Sequence, residues 1–392
     1  MAVTIYRRLD LGGAYYVLLA GAGLIVALGL AAAWYMEHHG HWVTGMDNRT
    51  VWGLPHVFAI FLIVAASGVL NVASIGTVFG REAYKPLARL SGLMAIALLI
   101  GGLAVLVLDL GRPDRLVVAM TTYNFASIFA WNIFLYVGFL AVVALYLWCL
   151  MERRMKPWST AAGVLAFLWR LVLTTGTGLI FGFLVAREAY DSAALAPLFI
   201  AMSFAFGLAL FIIALFLLYD AAALDSALVR RLGRLLAVFT GTVLYFTALP
   251  HLANLYAAEH LEVERFLLLD GGAITALFWL GQVTLGGILP LALLLWNGAG
   301  PSPRRVLAAA VLAAAGGLAQ IYVIVIGGQA YPMTLFPGLE MQTAFYGDVA
   351  RYAPSLPELG LGLGGIALAV LVVAVGLRVL DFLPRHLAGQ GD

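Results

Sequence analysis

The chain has 392 residues, 63% of them hydrophobic and only 11% charged, with a formal net charge of +2. Soluble domains carry roughly 25% charged residues, so a water-soluble core is excluded, whereas a bilayer takes up such surface at about 20 apolar residues per crossing. The small charge, with no basic tract longer than two residues, excludes nucleic acid as a partner. The single cysteine, Cys149, excludes thiolate iron-sulfur clusters and covalently attached haem within this chain, since a cluster needs about four cysteines and attached haem a Cys-x-x-Cys-His run.

Apolar runs predict an all-α integral membrane protein with about ten transmembrane helices, over 12–35, 54–79, 90–110, 125–150, 159–186, 194–219, 235–256, 271–297, 304–328 and 358–380. The first run follows Arg7 and Arg8 and ends near Ala31, Ala32 and Ala33, in the manner of a signal peptide. Its length of about 24 apolar residues exceeds a typical signal h-region, so a retained helix is expected. Assigning loops alternately puts Arg7, Arg8, Arg81, Lys85, Arg89, Arg153, Arg154, Lys156, Arg230, Arg231, Arg234, Arg304, Arg305, Arg378 and Arg385 on one side. The other side holds Arg49, Arg112, Arg115, Arg187, Arg265 and Arg351. By the positive-inside rule the first side, with both termini, faces the cytoplasm. Most carboxylates fall on the outer side, and the longest connection, 328–357, is also there. It contains Tyr331, Phe336, Phe345, Tyr346, Tyr352 and several prolines, which suits docking of a partner.

Polar residues inside apolar runs carry the functional signal, because burying them costs energy. His56 opens the second predicted helix, Asp109 closes the third, and Tyr123, Asn124 and Asn132 open the fourth. These ends share one side of the membrane and can converge on a pocket walled by Trp52, Phe58, Phe125 and Trp131. An imidazole, a carboxylate, a phenol and amides between aromatic walls suit a quinone, whose ring stacks and whose carbonyls accept hydrogen bonds. Against this stands the ordinary aromatic belt of a membrane interface.

Arg170 lies about 11 residues into the fifth helix, roughly 16 Å deep, and should face the bundle interior with a partner. It serves either as an ion pair between helices or, with Thr174, Thr175 and Thr177, as part of a proton route. The seventh helix ends with His251, Asn254, Tyr256, Glu259 and His260. His251 reads as a second-bundle counterpart of His56, hence a proton-route candidate, or as a packing residue; His260 reads as solvated.

The runs Leu108-Asp109-Leu110-Gly111-Arg112-Pro113, Tyr123-Asn124-Phe125 and Trp131-Asn132-Ile133-Phe134-Leu135-Tyr136 resemble the NrfD-like membrane subunits of polysulfide reductase and its relatives. Length and the run Ile324-Val325-Ile326-Gly327-Gly328-Gln329-Ala330-Tyr331-Pro332 are most similar to the ten-helix branch, in particular the DsrP group of sulfur-metabolism complexes. The resemblance implies two four-helix bundles with a flanking helix at each end. The corresponding division is 1–53 with the first flanking helix, 54–190 as the first bundle and quinone site, 191–328 as the second bundle, and 329–392 with the outer loop and last helix.

It further implies a subunit of a respiratory or sulfur-metabolism oxidoreductase complex in the bacterial inner membrane. Such a subunit exchanges electrons between menaquinone or ubiquinone and a ferredoxin-like iron-sulfur subunit on the outer face. Further haem or iron-sulfur subunits would complete the complex. His56 matches the family's ring-contacting histidine, with His56 and Asp109 as catalytic candidates and Asn71, Tyr123, Asn124 and Trp131 as further ring contacts. Two alternatives compete. A di-haem cytochrome b needs paired histidines at matched depth, which the seven histidines do not supply. A ten-helix secondary transporter would place its site at the midplane on broken helices, whereas these helices read as unbroken.

Overall fold

The computed structural model describes residues 4–220, 224–296, 301–333 and 347–385. Among these, ten helices are long and apolar enough to cross a membrane. They are α1 (Gly13–His39), α2 (Leu54–Thr77), α3 (Glu82–Leu108), α4 (Ile128–Met151), α5 (Lys156–Gly182), α6 (Leu195–Leu218), α7 (Ser226–Tyr256), α8 (Ala273–Leu295), α9 (Pro303–Ala330) and α10 (Leu356–Val379). The chain is an all-α integral membrane protein, as its apolar runs predict.

Two boundaries differ from expectation for physical reasons. The seventh helix starts at Ser226, not near 235, because Asp225 caps it by accepting from the Ala227 amide at 2.9 Å. At 31 residues it is about 46 Å long. It therefore exceeds the hydrocarbon thickness of roughly 30 Å, and Arg230, Arg231 and Arg234 ride on its projecting first turns. The connection after α3 also contains a short helix, Leu116–Thr121, that apolar periodicity does not reveal.

The helices are not all regular. In α8 the stretch Leu277–Ile288, and in α9 the stretch Val323–Gly327, run with widened i→i+5 turns, and α7 carries Pro250 inside it. The helices of this half of the chain are continuous but not regular, and a hydropathy pattern is blind to one extra residue per turn.

Contacts run in two rings. Helix α2 packs on α3, α3 on α4, α4 on α5 and α5 back on α2; likewise α6 on α7, α7 on α8, α8 on α9 and α9 back on α6. The rings join through α2 against α6, whose hydrophobic windows are 89% and 72% buried, so these two helices form the centre. Their backbones meet at Gly68 and Gly207, where a Cβ on Gly68 would strike the Ser203 carbonyl, leaving no room for any other residue. Helix α10 packs on α2 and α3, and α1 packs on α10 with only 17% of its window buried, which leaves α1 as the outermost helix.

The two ends of the chain meet. Tyr6–Arg7 pairs antiparallel with Leu383–Pro384, Arg8 lies 3.2 Å from Asp381, and Arg89 stacks over Tyr6 at 3.9 Å. Both ends therefore lie on the side of the α2–α3 connection. On the opposite side, α10 begins with a capping box in which Glu358 accepts from the Ser355 amide at 2.7 Å and its own amide donates to Ser355 Oγ. Of the aromatic residues in the segment read as a docking loop, Phe336, Phe345 and Tyr346 lie outside the described residues.

Candidate functional site

The run after α3 is shaped by its residue types. Asp109 ends the helix, its amide bonded to the Val105 carbonyl at 3.1 Å. Gly111 then takes φ +68°, the left-handed region that favours glycine. A Cβ there would also press on the His41 ring, 3.3 Å away. Pro113 biases Arg112 toward extended backbone and starts the next tight turn. The chain therefore turns sharply away from Asp109 and leaves its carboxylate facing inward.

Two imidazoles meet that carboxylate. His56 Nδ1, in the first turn of α2, lies 2.7 Å from Asp109 Oδ2, and His41 Nε2 lies 3.9 Å from Oδ1. The Asp109 side chain is 0% exposed and His56 14%, so the carboxylate is out of water and faces the two imidazole rings. The 2.7 Å approach is on the Nδ1 side of His56 without hydrogen-bond alignment, and Nε2 lies on the far edge of the ring. The Trp52 ring stacks on His56 with centroids 6.1 Å apart, and Phe129 at 6.1 Å and Phe181 at 5.5 Å extend the aromatic wall around Trp52. His41, Phe129 and Phe181 carry no signal in the sequence: His41 comes from the loop before α2, and the two phenylalanines are ordinary members of apolar runs.

Other expected members lie elsewhere. Asn71 is on α2 fifteen residues after His56, about 22 Å down the axis, so it does not share this site. Tyr123, Phe125 and Trp131 form a separate aromatic rim with Phe134, in which Trp131 Nε1 donates to the Phe125 carbonyl at 2.9 Å. Asn124 caps the turn before α4 by accepting from the Ala126 amide at 3.0 Å. Phe58 is buried against Gly362 of α10, away from this pocket. Sequence proximity of helix ends put these residues together; the rotation of each helix about its axis separates them.

A second polar group sits at mid-depth in the first bundle. Arg170 is 0% exposed, and its guanidinium reaches the Ser67 carbonyl at 3.4 Å, while Nε and Nη2 have no hydrogen-bond partner among the described residues. The rings of Phe167 and Phe204 each lie 4.9 Å from its Cζ. Of the two readings of Arg170, the ion pair finds no described carboxylate within salt-bridge distance. Thr174 donates to the Arg170 carbonyl at 2.8 Å and shares a hydrogen bond with Ser67 at 2.6 Å. Asn71, one turn beyond Ser67 on α2, is buried with its Nδ2 unpaired among the described residues.

The second bundle has its own pair. His251 Nδ1 lies 2.7 Å from Glu264 Oε2, Asn254 donates to Oε1 at 2.8 Å, and the Phe278 ring meets the imidazole edge-on at 5.0 Å. His251, Asn254 and Glu264 line a cleft with Ser192, Thr247 and Gln282. A smaller cavity adjoins it, lined by Thr247, Gln282, Gln320 and Thr240. There Thr240 Oγ1 and Gln282 Oε1 are buried without partners among the described residues. His260 is less solvated than expected, with 15% of its side chain exposed beside Glu259.

The chain is similar over nearly its whole length to membrane subunits of redox enzymes. It is 30% identical to the Hdr-like menaquinol oxidoreductase integral membrane subunit of Archaeoglobus fulgidus, covering 95% of this chain and 94% of that protein. It is also 30% identical to a Halobacterium salinarum protein provisionally named as a membrane subunit of dimethyl sulfoxide reductase, over 91% and 89% of the two chains. With a selenate reductase subunit of Mesobacillus selenatarsenatis it shares 22% identity over 91% and 92%. None of these three names is that of the DsrP group. The family profile of polysulphide reductase, NrfD, matches residues 42–333, which include both His56 and Gln329, and the chain belongs to that family.

Proposed function

We propose that the chain is the membrane subunit of an oxidoreductase complex, and that quinol or quinone reacts at His56 near the outer face. The observation that carries this reading is the His56–Asp109 pair at 2.7 Å, with Trp52 stacked on the imidazole. A carboxylate this close to Nδ1 favours the ring proton on that nitrogen and leaves Nε2 as the acceptor. The residues thus fit a flat ring with carbonyl or hydroxyl groups at its edge. When bound, a quinol supplies two electrons and two protons. His56 takes a proton at Nε2, and Asp109 stabilises the imidazolium that results, without itself needing to leave its buried position. His41, 3.9 Å from the other carboxylate oxygen, adds a second imidazole for the next proton.

Electrons leave through an iron-sulfur subunit on the acidic outer face, with further haem or iron-sulfur subunits beyond it. The name of the Archaeoglobus relative favours menaquinone over ubiquinone. Arg170, Ser67 and Thr174 in the first bundle, and His251 with Gln282 and Thr247 in the second, are candidate steps of a proton route across the membrane. The widened turns in α8 and α9, and mid-membrane Arg170, which could bind an anionic substrate, favour the alternative, a secondary transporter.

The test is quinone binding and quinol turnover by the complex in nanodiscs. His56→Phe keeps the aromatic wall and removes one hydrogen bond in a desolvated site, worth about 1–3 kcal/mol, so affinity should fall roughly 5- to 150-fold with assembly intact. Asp109→Asn should give a defect that varies with pH. Unchanged kinetics in both variants would move the site away from this end of α2 and α3.

A further inference from the structure

The run Gly327-Gly328-Gln329-Ala330-Tyr331-Pro332 closes α9, far in sequence from His56, and the proton transfer at His56 does not use it. Gln329 is nonetheless 2% exposed and has four side-chain hydrogen bonds. Its Oε1 accepts from the amides of Val51 and Trp52, both at 3.0 Å. Its Nε2 donates to the Trp52 carbonyl at 2.9 Å and to the Val325 carbonyl at 2.7 Å. The side-chain amide therefore clasps the Trp52 backbone from both sides, as a neighbouring strand would.

The clasp is itself anchored. Val325 lies in the widened stretch of α9, and its carbonyl also accepts from Tyr190 at 2.8 Å. Arg187 donates to the Gln329 carbonyl at 2.8 Å and to the Arg49 carbonyl at 2.7 Å, tying the same loop to the same helix end. Burial lowers the affinity of this guanidinium for its proton, an effect the nearby Tyr190 opposes. Trp52 is followed by Gly53, the helix cap, and its ring covers His56. No other described residue fixes both the N–H and the C=O of Trp52.

The geometry points to Gln329 as a positioning residue that sets the Trp52 ring beside His56 and so fixes the aromatic wall against which a quinone ring would stack. The inference rests on the quinone reading of His56 and assigns to the second bundle a part in the first bundle's site. Gln329 touches no reacting atom; it acts through Trp52.

The experiment compares wild type, Gln329→Leu and Gln329→Glu in the assembled complex, with a short-chain naphthoquinone as probe. Quenching assigned to Trp52 is obtained by difference from Trp52→Phe. In Gln329→Leu we expect that quenching to be lost and the quinol KM to rise about ten-fold, with kcat within about two-fold of wild type, because orientation of the bound ring is what fails. Gln329→Glu keeps the acceptor and, once protonated, regains a donor. Its KM relative to wild type at the same pH should therefore shrink as pH falls, which a packing defect would not do. If Gln329→Leu does not assemble, Gln329→Glu decides alone. Wild-type KM and Trp52 quenching in the variants overturn the inference, as does a pH-independent loss of kcat and KM together. Absence of quinone binding in wild type sinks the quinone reading instead, so the two failures are distinguishable.

Discussion

Arg170 illustrates how a single side chain can be costly and still not be a structural clamp. Its guanidinium is 0% exposed, two of its nitrogens lack partners among the described residues, and its company is a carbonyl, two phenyl rings and the Ser67–Thr174 hydroxyl pair. Removing one member of a buried ion pair strands the other and costs several kcal/mol, but here there is no described carboxylate to strand. Arg170→Met should accordingly leave folded protein in the membrane at normal yield, with thermal stability unchanged or raised. If the residue serves the proton route, quinone affinity stays within about two-fold while turnover falls by about ten-fold or more. Loss of folded protein would return Arg170 to a structural role. The depth of Arg170 was legible from sequence, since position along an apolar run measures depth. Its partners were not, because they depend on which faces of α2 and α6 turn toward α5. The same holds at the outer site. His56 and Asp109 could be paired because they end adjacent helices, whereas Asn71 could not be excluded without the rotation of α2. Gln329, 277 residues from Trp52, stood out only as part of a run that carries the resemblance, with nothing to join it to Trp52.

At the scale of elements, the start of α2 is held by α10. The Leu54 amide donates to Tyr352 Oη at 2.6 Å, and Tyr352 donates in turn to Glu358 Oε1 at 2.6 Å. Glu358 is 0% exposed and takes further bonds from the Gly45 amide at 2.9 Å and the Ser355 amide at 2.7 Å. One buried carboxylate therefore gathers the loop before α2, the cap of α10 and, through Tyr352, the first turn that carries His56. Burial, and then the hydrogen bond and charge of Glu358, push the Tyr352 phenol above its ordinary value of 10.0. A raised pKa means that the stabilisation is complete below that ordinary value and is lost as pH rises beyond it, so it is constant across the physiological range. Tyr352→Phe leaves a buried carboxylate short of one donor and should cost about 1–3 kcal/mol, read as a lower unfolding temperature in nanodiscs. The difference from wild type should narrow only in alkaline buffer. An equal unfolding temperature near neutral pH would mean that water replaces the phenol. The sequence holds the cap, with Ser355 and Glu358 at capping-box spacing before an apolar run, though the helix predicted over 358–380 does not use it. It did not announce that the same glutamate serves two other segments.

At the scale of the whole molecule, the number of crossings and their direction rest on different evidence. Ten spans follow from apolar length, and the strand pair between Tyr6–Arg7 and Leu383–Pro384 requires an even number, because both ends meet on one side. Direction comes only from charge. The side of the termini carries Arg81, Lys85, Arg89, Arg153, Arg154 and Lys156, and the opposite side carries Asp47, Asp114, Glu259 and Glu262 with fewer basic residues. The positive-inside rule then predicts termini in the cytoplasm and the His56 site near the outer surface. Cysteine labelling can test this, since the one native thiol, Cys149, is buried at 1% exposure and should give little background. In Asp114→Cys the new thiol replaces a side chain 67% exposed on the side of His56, and in Ile5→Cys one at a position 59% exposed on the side of the termini. A membrane-impermeant maleimide applied to intact cells should label Asp114→Cys and spare Ile5→Cys, which should react only after the membrane is opened. The reverse pattern would invert the molecule and put the proposed quinone site on the cytoplasmic face. An iron-sulfur partner docked beside His56 would then have to be a cytoplasmic protein, and protons released from quinol would enter the cell instead of leaving it.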